Sequence, residues 1–232
     1  MAEIVKKGTK SMGRYHYVFP KWSNMLLPAA LVTGVVAPLY VVLVVAYGFS
    51  PRTTDVGYAP QQPGFYSHKL HAGELGIDCR YCHNTVEHSN QASIPPTQTC
   101  MNCHTQIHKD SPRIQPLLES YLTGTPVKWN RIHDLPDYAY FSHQAHVVRG
   151  VSCVSCHGRI DRMDVVSQRQ PLSMGWCLEC HRGPEINLRD PSLVTQLNWG
   201  IDMTEAQKLE LGATWRARNN LNPSQDCSTC HR

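Results

Sequence analysis

Apolar and polar positions fall into two contrasting patterns along the chain. From Ser23 to Gly48 the sequence reads SNMLLPAALVTGVVAPLYVVLVVAYG, with no charged residue. About 20 such residues cross the roughly 30 Å of hydrocarbon in a bilayer, so residues 23–48 are predicted to form one transmembrane helix. A cleaved signal peptide is the competing reading, but its apolar region is usually only about 7–15 residues. A retained anchor is therefore expected. Pro28, Gly34 and Pro38 interrupt it. Ala30 with Gly34, and Thr33 with Ala37, set small residues four apart, a spacing that lets another helix approach closely.

Beyond Gly48 the apolar run breaks up. Residues 49–64 are rich in Pro and Gly and are expected to be an extended linker. Only two later segments carry a helical pattern. Arg113 to Leu122 places Ile114, Leu117, Leu118 and Tyr121 on one side and stops before Gly124. Thr204 to Asn219 opens with Thr204 and Gln207, the spacing of a capping box. Elsewhere Pro and Gly recur too often for long elements. Residues 65–232 thus read as a mostly irregular, partly α-helical domain that cannot bury a conventional core of its own.

Cysteine placement changes that picture. All ten cysteines lie in five copies of C-x-x-C-H: Cys79/Cys82/His83, Cys100/Cys103/His104, Cys153/Cys156/His157, Cys177/Cys180/His181 and Cys227/Cys230/His231. This motif is the attachment site of a c-type haem. Two thiols one helical turn apart bond covalently to the two vinyl groups of one haem, and the next residue brings its imidazole to the iron. Zinc sites use C-x-x-C pairs without requiring a following His, and a redox dithiol needs one motif rather than five. Five covalent c-type haems are expected, and their apolar plates can serve as the missing core.

The attachment motifs belong to an internal repeat. YSHKLHAGELGIDCRYCH (66–83) aligns with FSHQAHVVRGVSCVSCH (141–157), which is one residue shorter. Each is followed by a proline-containing segment and a second motif, SIPPTQTCMNCH (93–104) and QPLSMGWCLECH (170–181). The fifth motif follows as an appendix. His68, His71, His143 and His146 occupy corresponding places before the first motif of each repeat, so they are expected to be the second axial ligands of four haems. His133 is the expected fifth. Met163, six residues after His157, competes for one of these positions and would raise that haem's potential. His88 and His108 lie close behind their own proximal histidines, although either could serve another haem.

Charge narrows the partners. The formal net charge of +4 lies within residues 1–22, where Lys6, Lys7, Lys10, Arg14 and Lys21 outnumber Glu3. The rest of the chain is neutral before the haem propionates are counted, so no nucleic-acid partner is expected. A basic tail before an anchor stays in the cytoplasm. The haem domain then lies on the outer face of a bacterial inner membrane, where c-type haems are attached.

CMNCH, RIHDLPDYAYFSHQAH, GVSCVSCHGRIDRM and PLSMGWCLECHR resemble the pentahaem, membrane-anchored subunit of alternative complex III. That family consists of bacterial quinol:electron-acceptor oxidoreductases. The resemblance covers residues from about 65 to 232 and the single anchor. It implies polytopic quinol-binding subunits, an iron–sulfur subunit and a monohaem cytochrome c as partners. It also implies an electron-relay role with no catalytic site in this chain. The H-x-x-H pairs are shared with small cytochromes of the c3/c7 type. There the first His usually serves its own haem and the second a different one. Carried over, His68 and His143 serve the haems of His83 and His157, while His71 and His146 reach neighbours. A self-sufficient, anchored quinol dehydrogenase is the alternative. In that type the first haem motif follows the anchor closely, whereas Cys79 lies well beyond Gly48. An enzyme with an open iron position is disfavoured, because all five motifs end in His and enough histidines remain for every sixth position.

Overall fold

The computed structural model describes residues 19–49 and 54–231. Apart from Lys21, the charged residues of the N-terminal tail lie outside them. The chain forms two units, Met1–Phe49 and Ser50–Arg232.

The first unit contains a 3-10 turn, Lys21–Met25, leading into helix α1, Leu26–Gly48. Together they form a segment of 28 residues with mean hydropathy 2.4 in its most apolar window, long and apolar enough to cross a membrane. At 1.5 Å per residue, the 23 residues of α1 extend roughly 35 Å. Pro38 sits inside the helix, where it removes one backbone donor.

The second unit is made of short helices joined by long irregular stretches, and no named strand occurs among its described residues. A six-residue π-helix, Lys69–Glu74, comes first. The α-helices follow as α2 Cys79–Cys82, α3 Thr97–His104, α4 Gln115–Thr123, α5 His143–Val147, α6 Cys153–His157, α7 Met174–Arg182, α8 Glu205–Arg218 and α9 Cys227–Cys230. Helix α4 ends as the sequence predicts, with Gly124 in the left-handed region at φ 70°. Helix α8 starts with the predicted capping box, in which Thr204 and Gln207 satisfy each other's backbone donors. Its Gly212 packs against the Glu185 backbone so closely that a Cβ would overlap it. The Arg216–Glu185 ion pair lies beside that contact.

The expected linker is extended, and it is also docked. Tyr58 and Gly57 exchange backbone hydrogen bonds with Gln168 at 3.0 and 2.8 Å. The Gln62 side chain pairs in both directions with the backbone of Asn130.

Among the described residues, the buried apolar side chains are Met101, Ile114, Leu117, Val147, Met163, Leu188, Val194 and Leu197. Eight apolar residues cannot cohere a domain of this length, which would ordinarily bury a much larger apolar fraction. The long irregular segments are organised instead around the histidines and the cysteine turns.

The two repeats differ in their first helical turn for a simple reason. The first repeat has one more residue, and it forms the π-helix Lys69–Glu74 where the second forms α5. A single inserted residue is commonly absorbed as one π-helical turn. The chains come back into register at the next step. Ile77 donates to the carbonyl of His71, and Val151 donates to that of His146, both at 3.0 Å.

Candidate haem sites

Each C-x-x-C-H motif adopts the local structure its chemistry needs. The two cysteines of every motif sit on one helical turn: α2, α6 and α9 hold little else, while α3 and α7 carry the motif near their C-terminal ends. The amide of the motif histidine donates to the carbonyl of the first cysteine, at 2.8 Å for both His83 to Cys79 and His231 to Cys227. Asp78 caps α2 by accepting from the Arg80 amide at 2.8 Å. All ten thiols are free.

The imidazoles are held in one protonation pattern. Nδ1 of His83 donates to the carbonyl of Ser93 at 2.9 Å, that of His104 to Ile107 at 2.9 Å, that of His181 to Ser224 at 2.6 Å and that of His231 to Tyr138 at 3.0 Å. Among the upstream histidines, His71 donates to Ser67, His143 to Asn90 and His146 to Ser142. A carbonyl only accepts, so Nδ1 carries the proton and the Nε2 lone pair is available to a metal. Burial also keeps these rings neutral. It lowers His68 to about 4, helped by the neighbouring His83 and His71. It lowers His157 to about 3, helped by His133, His143, His83 and His68.

The rings then pair across the sequence. His68 faces His83 with centroids 6.5 Å apart, and His143 faces His157 at 6.4 Å, their planes parallel to within 2° and 13°. His71 meets His104 at 6.2 Å and His146 meets His181 at 6.1 Å, with planes inclined by 60° and 46°. Two imidazoles sharing one metal, each with its nitrogen about 2 Å away, place their ring centroids roughly 6 Å apart. Rings in direct contact are closer, as for Tyr66 with His71 at 4.5 Å.

Residues 139–232 match the family of cytochrome c7 and related cytochrome c. The chain is also 30% identical, over 210 residues, to the multihaem cytochrome c subunit of menaquinone reductase from Nitratidesulfovibrio vulgaris Hildenborough. That alignment covers 86% of this chain and 91% of its relative. The chain belongs to the multihaem cytochromes c.

As a multihaem cytochrome c it carries covalently bound c-type haems, and its residues fit them. Each described pair supplies two neutral imidazoles separated by the width of one iron site, beside thiols free to form thioethers. The haems supply one-electron redox chemistry; the protein holds them, orients their ligands and excludes water.

In both repeats an aromatic residue sets the paired histidines apart. Tyr66 meets His68 edge-on at 4.8 Å and stacks on His71 at 4.5 Å. Phe141 meets His143 edge-on at 4.8 Å and stacks on His146 at 4.5 Å. The aromatic ring wedges between the two imidazoles and aims them at different partners. The sequence marks the aromatic as part of the repeat but does not reveal this role.

The repeats also interlock. His143 and Gln144 donate their amides to the carbonyls of Asn90 and Ser89, in the segment after the first repeat's first motif. Reciprocally, Lys69 donates its amide to the Met163 carbonyl, and Ser67 donates its hydroxyl to Asp164 at 2.6 Å. Those acceptors lie in the corresponding segment of the second repeat. At the centre of this exchange, the thiols of Cys79 and Cys153 lie within hydrogen-bonding reach of each other. They are the first cysteines of equivalent motifs, so the cytochrome has an approximate internal twofold arrangement.

Two expected ligands fall elsewhere. His133 places its ring 4.4 Å from His157, edge to face, with Nε2 buried and without a hydrogen-bond partner. The ring beside His231 is Tyr138, at 5.9 Å. Met163 is 6% exposed, and its sulfur accepts from the Ser167 hydroxyl at 3.9 Å. It fills the junction between the repeats, a common role for a flexible thioether side chain. His88 and His108 stand in no described imidazole pair.

Proposed function

We propose that this cytochrome carries five c-type haems and serves as the electron-relay subunit of a membrane-bound quinone oxidoreductase assembly. The observation that carries this reading is the set of four imidazole pairs at 6.1–6.5 Å. Two axial histidines close an iron to substrates and suit it to electron transfer. His83 with His68, His104 with His71, His157 with His143 and His181 with His146 are the proposed ligand pairs. His231 is the proposed protein ligand of the fifth haem. His133 and Met163 are better read as packing residues beside His157 and between the repeats.

The thiols support a linear order. Cys82 interacts electrostatically with Cys100 and Cys103, Cys79 bonds with Cys153, Cys156 interacts with Cys177 and Cys180, and Cys177 interacts with Cys230. The attachment sites therefore follow one another as second, first, third, fourth and fifth motif. The ends of the relay are the haems of His104 and His231.

Helix α1 is the proposed inner-membrane anchor. The basic tail lies on the cytoplasmic side and the haem domain on the outer side. The proposed partners are polytopic quinol-binding subunits, an iron–sulfur subunit and a monohaem cytochrome c, as in alternative complex III. The menaquinone reductase relative favours a second reading, in which electrons run through the same relay toward quinone. Stopped-flow haem absorbance separates the possibilities. The intact assembly should exchange electrons with a menaquinol–menaquinone pair at a useful rate. The purified single chain should be reduced by dithionite and not by menaquinol. Rapid reduction of the isolated chain by menaquinol would establish it as a self-sufficient quinol dehydrogenase.

A further inference from the structure

Arg189 is 8% exposed, yet its Nε and Nη1 are buried without a hydrogen-bond partner. No carboxylate among the described residues forms an ion pair with it. A guanidinium is always charged, and a buried charge without a counter-charge is strongly disfavoured. The side chain is nevertheless held in place: its Cζ lies 4.5 Å from the centre of the Trp199 ring, which stacks under the guanidinium plane.

The backbone around Arg189 is tied to the entrance of the third attachment motif. Its amide donates to the Gly150 carbonyl at 2.9 Å, Leu188 and Val151 form an antiparallel bridge, and Ser152 donates its amide to Asn187. On the next stretch, the Val194 carbonyl accepts from both the Cys153 amide and the Ser152 hydroxyl. Val194 and Ser152 are almost fully buried. Gly150, at φ +93°, must be glycine, because a Cβ there would run into the Arg189 carbonyl. Arg189 and Cys153 thus share one rigid unit. Cys153 is also the group whose charge acts on the guanidinium, while burial lowers its proton affinity.

We propose that Arg189 binds a propionate of the haem attached at Cys153 and Cys156, with Nε and Nη1 as donors and Trp199 fixing the plane of the fork. The ligand is a carboxylate brought in by covalent attachment, so it reaches a pocket closed to surface partners. The inference rests on haem attachment at this motif. Its role is positional: the cation offsets the propionate charge and raises that haem's potential.

The test uses the full chain with its haems, comparing wild type, Arg189→Gln and Arg189→Lys. Pyridine haemochrome analysis first fixes the haem count, so a failure of attachment is separated from a failure of this proposal. Spectroelectrochemical titration should then show one haem displaced downward in Arg189→Gln, by about a tenfold change in its one-electron equilibrium, or about 59 mV. The others should be unmoved. With haem labelled in its propionate carbons, the redox difference infrared spectrum should show a shifted carboxylate band. Arg189→Lys keeps the charge without the fork, so it should show a smaller potential change and the same altered band. If Arg189→Gln loses its haems, Arg189→Lys alone decides. Unchanged potentials and carboxylate bands would overturn the proposal. A potential that follows added chloride or phosphate would overturn it too, by assigning the site to a diffusible anion.

Discussion

The imidazole planes of His68 and His83 are parallel to within 2°, with their centroids 6.5 Å apart. Fifteen residues separate them in sequence, and the gap between the rings matches one iron with a nitrogen on each side. His143 and His157 repeat the relationship in the second half of the chain.

Removing one partner of such a pair should open an iron. His68→Ala is expected to convert one haem to a high-spin form that binds carbon monoxide after reduction, with the other haems unaffected. His143→Ala should do the same in the second repeat. The check is the carbon monoxide difference spectrum per mole of protein. A wild-type spectrum in both variants would remove these histidines from the ligand set.

Haem content tests the attachment motifs one at a time. Pyridine haemochrome analysis should give five haems per chain, all resistant to acid-acetone extraction. Replacing Cys153 and Cys156 together by Ser should reduce the covalent count by one. A wild-type count in that variant, or three or fewer haems in the native chain, would contradict the proposal.

The aromatic wedge has a predicted energetic weight. Phe141→Ala should destabilise the haem domain by roughly 1–3 kcal/mol, from two ring contacts at about 0.5–1.5 kcal/mol each. Phe141→Tyr should be nearly neutral, because Tyr66 fills the equivalent place with the same geometry. Chemical denaturation monitored by haem absorbance measures both. Equal losses in the two variants would show that the ring contacts are not what matters.

Acid sensitivity should trace in part to Asp78. Its hydrogen bond with the Arg80 side chain, together with the Arg80 amide and the Thr195 hydroxyl, depresses it from 3.8 to about 2 against a smaller opposing effect of burial. A carboxylate whose pKa is lower in the folded state contributes stability above its unfolded value and loses it as pH falls through the folded value. The contribution should be full above pH about 4 and vanish near pH about 2. Asp78→Asn should flatten this part of the stability–pH curve. An unchanged slope between those limits would rule out Asp78 as its source.

Much of the local architecture is legible in the residues because it depends on near neighbours. The Thr204–Gln207 capping box, the stop at Gly124 and the cysteine turns all follow from interactions within a few positions. The one-residue length difference between the repeats is visible too, although its expression as a π-helix depends on which hydrogen bonds the turn recovers. The docking of the expected linker was not legible: Gln62 meets Asn130 and Gln168 meets Thr54 across gaps of 68 and 114 residues.

The sequence alone determined the chemistry: five haem attachment motifs, a duplicated H-x-x-H unit and an apolar helix of membrane-spanning length. Those features are local, fixed by covalent reach, side-chain type and the rise of a helix. Tertiary structure decided the partnerships. It faced His71 with His104 and His146 with His181, set His133 against His157, placed Met163 at the junction of the repeats and buried Arg189 beside the Cys153 turn. Spacing cannot fix such contacts, because a flexible loop lets many histidines reach the same place. Only the interlocking of the repeats around Cys79 and Cys153 removes that freedom, selecting one partner for each ring.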